Sequence, residues 1–149
     1  MRSSDQNDAL NAALVAQSPD AIILSDREGN IEVWNAAAER IFGHRADEVL
    51  GRSLDVIIPE RLRAAHWAGF DAALASGREK YAGRVLTTRS MHKDGSKLYV
   101  DLAFALIRDA AGAVTGVVAT ARDCTARYEE ERALRARVAQ LEAGKGGSP

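Results

Sequence analysis

The stretch Lys97-Leu98-Tyr99-Val100-Asp101-Leu102-Ala103-Phe104-Ala105-Leu106-Ile107 decides how the chain is read. Leu98, Val100, Leu102, Phe104 and Leu106 fall on one side of an extended backbone. Tyr99, Asp101, Ala103 and Ala105 fall on the other. A period of two is the mark of a strand with one buried face. Asp94-Gly95 before this strand and Ala111-Gly112 after it are turn pairs. They join it to two further extended segments, Tyr81 to Arg89 and Val114 to Arg122, so three strands are predicted in succession.

Working outward, Ala21 to Ser25 is a short apolar run and Ile31 to Trp34 alternates. Asp26-Arg27-Glu28-Gly29-Asn30 between them supplies turn residues, which predicts a hairpin. Asn35 is a good N-cap for a helix over Ala36 to Phe42, closed by Gly43. Ala46 to Leu50 and Ser53 to Ile58 read as short helical pieces. Pro59 to Ala75 reads as the longest central helix, with Pro59 in its first turn and Gly77 at its end. A helix over residues 5 to 17, carrying Leu10, Ala13, Leu14 and Val15, precedes all of this and is left at Pro19. Another follows from Thr125 to Glu142. The order is helix, two strands, short helices, a long helix, three strands, helix. It predicts an α+β fold, a five-stranded antiparallel sheet with helices on one face plus N- and C-terminal flanking helices.

The bulk numbers narrow the function classes. The chain has 149 residues, 46% hydrophobic and 28% charged, which suits one domain with a real core. A net charge of -1 argues against a nucleic-acid or anionic-membrane binder. Cys124 is the only cysteine, so no disulfide forms within the chain, and a cytoplasmic setting is expected. The first residues hold no apolar signal region, and no apolar run reaches the ~18 residues of a membrane helix. His44, His66 and His92 show no zinc-ligand spacing. Asp101 and Asp123 lie on different strands without a catalytic partner, so the chain is read as not an enzyme.

Four motifs resemble the PAS sensor family. Trp34-Asn35-Ala36-Ala37-Ala38-Glu39-Arg40-Ile41-Phe42-Gly43 resembles the pattern that opens the PAS helical half. Glu48-Val49-Leu50-Gly51-Arg52 resembles its next signature. Lys93-Asp94-Gly95-Ser96 resembles the hairpin before the central PAS strand. Arg122-Asp123-Cys124-Thr125 resembles the segment that ends the sheet, with Cys124 in place of the usual aliphatic residue. The resemblance runs from about residue 15 to 126. It implies a cupped sheet, a cleft under the central helix and signal output through flanking helices.

His66 is the candidate for chemistry. Leu62, His66, Gly69 and Ala73 share one face of the central helix by their spacing. If that face looks into the cleft, an imidazole lies among small residues with room for a flat ligand. A neutral imidazole is a good haem-iron ligand. Ile58 to His66 resembles the proximal helix of haem-binding PAS oxygen sensors, where a histidine at this place coordinates iron. The resemblance implies haem b with His66 as metal ligand. Arg84 is then a distal donor to bound gas, and Phe70, Leu86, Leu102 and Val118 are further wall candidates, with Met91 an alternative axial ligand. A histidine here also occurs in PAS domains without haem, where it packs or hydrogen-bonds. Cys124 is not on the short helix where flavin-adduct relatives carry their cysteine, which argues against flavin.

The last helix places Leu134, Val138 and Leu141 on a heptad seam about two heptads long. The expected layout is an N-terminal flanking helix over 1–17, a PAS domain over 18–124, a signalling and dimerisation helix over 125–143 and a flexible tail over 144–149. The function expected is a sensory and signal-transduction module. It senses a gas such as oxygen, or redox state, through haem, and relays through a homodimer with a short coiled coil. The alternative is a haem-free PAS domain that serves as a dimerisation and relay module or binds a small organic ligand. The chain shows no effector segment of its own, so the effector domain or partner protein stays open.

Overall fold

The computed structural model describes residues 1–80 and 83–146. The elements run α1 (Ser4–Gln17), β1 (Ala21–Asp26), β2 (Ile31–Trp34), α2 (Ala36–Phe42) and α3 (Ala46–Val49). A 3-10 turn (Leu54–Ile57) follows, then α4 (Glu60–Ser76), β3 (Leu86–Met91), β4 (Lys97–Arg108), β5 (Val114–Asp123) and α5 (Thr125–Lys145). The five strands form one sheet in the order β2-β1-β5-β4-β3, antiparallel throughout. The α+β expectation holds, with both flanking helices present.

Helical starts follow local chemistry. The Ser3 side chain accepts from Gln6 N, and Gln6 answers the Ser3 backbone in a capping box. Asn35 caps α2 through Oδ1, which accepts from Ala38 N at 3.0 Å. Pro59 sits one position earlier than its spacing suggests. It is the N-cap of α4, with ψ 137, and the helix starts at Glu60. Proline has no N–H to donate, so it costs nothing there.

The third strand differs from its sequence reading. Its expected first residue, Tyr81, and residue 82 lie outside the described residues. Gly83 is in a turn, and pairing begins at Leu86 with Leu102 and ends at Met91 with Lys97. Gly83 and Arg84 therefore precede the strand. At the C-terminus, Gly144 and Lys145 continue α5 and Gly146 caps it, so the helix extends beyond Glu142. The last three residues of the expected tail lie outside the described residues.

The core lies between the sheet and α2 and α3. Ala21, Ile23, Ile31, Trp34, Ala38, Phe42, Val49, Leu98, Val100 and Ala121 are buried together. Trp34 and Phe42 meet with centroids 5.4 Å apart, and Trp34 Nε1 donates to His44 O. Toward β3 and α4 the packing opens, and this is where the site forms. Among the described residues no helix is long and apolar enough to cross a membrane.

Candidate functional site

The inner face of the sheet presents two rows at its open end. Antiparallel register puts Ile23 opposite Ala119 and Ala119 opposite Phe104. One step on, Ser25, Val117 and Leu106 line up in the same way. Over these rows lies α4, and between them is a cavity of about 710 Å³. That is within the range of roughly 300–1,000 Å³ typical of small-molecule sites. Ala65, His66, Gly69, Phe70, Ala72 and Ala73 contribute from α4, Leu54 from the 3-10 turn and Leu86 from β3. Ser76, Arg78, Glu79 and Lys80 form a polar rim.

Helix α4 is seated by Trp67. Its Nε1 donates to Asp55 Oδ1 at 2.8 Å, and its ring lies over Gly29. A Cβ on Gly29 would fall 2.2 Å from the indole, and the residue has φ +82, so glycine is required twice over. With Trp67 fixed, its neighbour His66 turns to the cavity. The His66 ring stands edge-on to Trp67 at 4.6 Å and lies 6.0 Å from Phe70. Burial pushes its pKa below the ordinary 6.5, and the Asp55 charge only partly offsets this. The imidazole is therefore held neutral. Its Nδ1 is buried with no hydrogen-bond partner. At Gly69, one turn on, an added Cβ would meet nothing within 4 Å.

Five of the expected residues come together here: His66, Gly69, Phe70, Ala73 and Leu86. Leu62, Leu102, Val118, Arg84 and Met91 do not line this cavity. Leu62 is half-buried on α4. Leu102 packs against the main core. Val118 pairs with Leu24 and Ala105 on the outer face of the sheet, while Val117 and Ala119 point inward. Two adjacent valines gave no alternation to decide between them. Arg84 is exposed in the connector before β3 and does not line this cavity. Met91 lies in a separate recess with His44, Arg52, Asp55 and Arg63, which His66 does not line.

The structure also adds residues that the sequence reading missed. Phe104 and Leu106 share the parity of Leu102 and were legible from the alternation of β4. Ser25 was not, because a serine ending an apolar run reads as the start of a turn. Glu79 was not, because its role is long-range. Its Oε1 accepts from Leu106 N at 2.6 Å, and this bond, with Arg108 nearby, keeps the carboxyl below its ordinary pKa.

Other candidates are absorbed by structure. Burial lowers the pKa of His44 at the end of α2, with the Glu48 charge opposing it. His92 is half-buried against Gly43, not freely solvated. Asp123 accepts from Thr125 N and Oγ1, tying the sheet to α5. Asp101 Oδ1 accepts from Thr87 Oγ1, and both Asp101 carboxylate oxygens accept from Arg127 Nη2. Cys124 is buried at the start of α5, where burial and Asp101 raise its thiol pKa, and it is not on the cavity wall. Among the described residues no three His, Cys, Asp or Glu side chains gather as a metal site.

The family model described as the PAS fold matches residues 9–124. The chain belongs to the PAS family. The PAS chain is 34% identical over 129 residues to an uncharacterized protein of Azorhizobium caulinodans, covering 86% of this chain and 17% of that one. It is 28% identical over 113 residues to the oxygen sensor protein DosP of Escherichia coli, covering 76% of this chain and 14% of DosP. The chain thus spans less than a fifth of either relative. Among solved structures it resembles a PAS domain from Colwellia psychrerythraea, with TM-score 0.68 and 20% identity over 78% of this chain and 96% of that one. That likeness concerns the fold alone. As a PAS domain the chain is a sensory module.

Proposed function

We propose that this PAS domain is a haem-based sensor of a diatomic gas or of redox state, with His66 as the proximal iron ligand. One observation carries the reading. A neutral imidazole with an unpartnered buried nitrogen lies on the wall of a large apolar cavity. Leaving a buried nitrogen unsatisfied costs about 1–3 kcal/mol, and an iron ligand both needs the neutral ring and gives it a task.

The residues fit the group. Gly69 and Ala73 leave space beside His66, and Phe70, Leu86, Phe104 and Ala119 offer apolar walls for a macrocycle. Bound haem supplies a redox-active iron with a coordination position open to a small gas. The chain's own part is to hold His66 neutral and oriented through the Trp67–Asp55 hydrogen bond and to exclude water from the apolar walls. The likeness to DosP supports the same reading. Cys124 lies off the cavity, which speaks against a flavin–thiol adduct there.

Output is proposed to run through a homodimer. Leu134, Val138 and Leu141 on α5 are more than half exposed, as is Leu14 on α1. Such apolar seams call for a partner surface. Within this layout residues 18–124 sense and α5 relays, and the effector belongs to a longer protein or a separate partner.

The test is the colour of the protein isolated from a haem-replete host. The expected result is a Soret band, absent in His66→Ala. Colourless protein that also gives no Soret shift with hemin would favour the haem-free dimerisation and relay reading.

A further inference from the structure

Ser25 ends the inward-facing row of β1, with Ile23 on the same side. It is 1% exposed, and its Oγ has no hydrogen-bond partner. Its neighbours across the sheet, Val117 and then Leu106, are apolar and have nothing to offer a hydroxyl. A Cβ at Gly116 would fall 2.3 Å from Ser25 O, so β5 runs close against the Ser25 backbone. The hydroxyl lines the cavity whose other wall carries His66. A serine buried this deeply is usually satisfied within the protein, and alanine in its place would pack as well and leave nothing unpaired.

We propose that Ser25 is the polar recognition residue of the cavity, its hydroxyl hydrogen-bonding a donor or acceptor group on a flat, mainly apolar small molecule. The inference rests on the cavity being the ligand site, as the proposed function has it, but not on the ligand being haem. Ser25 selects among occupants of similar shape by the presence of one polar group, because a site with a buried polar atom discriminates against analogues that leave it unpaired.

The experiment compares 1-naphthol with naphthalene, two flat probes that differ by one hydroxyl, by NMR titration of the full chain. The wild type is expected to prefer 1-naphthol by about five-fold beyond the ratio in a Ser25→Ala variant, the size of one hydrogen bond. Ser25→Thr, which keeps the hydroxyl, is expected to retain the preference, and Ser25→Val, which has the shape of threonine, to lose it. Should Ser25→Ala fail to fold, this second pair decides. Equal preference in the threonine and valine variants, or no binding of either probe by the wild type, would overturn the proposal. Hemin titration of the same variants separates the two readings. Loss of hemin binding in His66→Ala alone speaks to the iron ligand, and loss of naphthol selectivity in Ser25→Val alone speaks to Ser25.

Discussion

At the residue scale, single side chains organise the cup. Asn35 shows how much one polar group can hold. The sequence marks it as a cap for α2, which it is. The structure gives it three further tasks. Oδ1 also accepts from Ile22 N at 3.0 Å, and Nδ2 donates to Val15 O and Asp20 O. Asn35 therefore ties the end of α1, the entry to β1 and the start of α2 together while 5% exposed. These contacts span up to 20 residues of sequence, and no local pattern reports them. Asn35→Ala leaves two part-buried carbonyls and two N–H groups without this partner. It is expected to cost about 2–3 kcal/mol in urea unfolding. A loss under 0.5 kcal/mol would show that water replaces the side chain. The same limit on local reading applies to Glu79, whose role comes from Leu106, 27 residues along the chain.

At the element scale, α4 and α5 carry the functional argument. The 3.6 period puts Leu62, His66, Gly69 and Ala73 on one face of α4, and the last three of these line the cavity while Leu62 does not. The β3 boundary was not legible. Residues 81–89 look extended throughout, and only pairing with β4 shows that the strand begins at Leu86. Helix α5 docks by its first turn alone. Tyr128 stacks on Tyr99 with centroids 3.7 Å apart, and Arg127 pairs with Asp101 at 2.8 Å. Beyond this turn α5 is exposed, including Leu134, Val138 and Leu141. If α5 pairs with its copy, Leu134→Glu with Leu141→Glu will shift a dimer to monomer in light scattering, raising Kd by at least about ten-fold. A wild type that is monomeric at all concentrations, or a double variant that still dimerises, would remove the dimer from the account.

At the scale of the whole molecule, the fold divides into a packed half under α2 and α3 and an open half under α4. The four PAS-like motifs lie where the chain turns or caps, so the sequence reports the fold well. Cavity walls report less well, because an apolar residue looks alike whether it packs or lines a space, as Val117 and Val118 show. The open half has a thermodynamic signature. His66, like His44, has its pKa lowered by burial, so above pH 6.5 it adds no charge penalty to either state. As pH falls through 6.5, the unfolded chain takes up protons that the folded state refuses, and stability drops. The lowered carboxyl groups Glu48, Glu79, Asp94 and Asp101 add their own loss only near and below their ordinary values of 3.8 to 4.5. The urea midpoint is therefore expected to fall between pH 7 and 5.5, less so in His66→Phe. An unchanged slope in that variant would mean the ring is not buried as described. The central claim, that this half-buried imidazole with its buried Nδ1 is an iron ligand, meets its most direct test in a hemin titration of wild type and His66→Ala followed in the Soret region. The account predicts a sharp one-to-one endpoint in the wild type and only broad, non-saturating absorbance in the variant. Matching curves for the two proteins would contradict it.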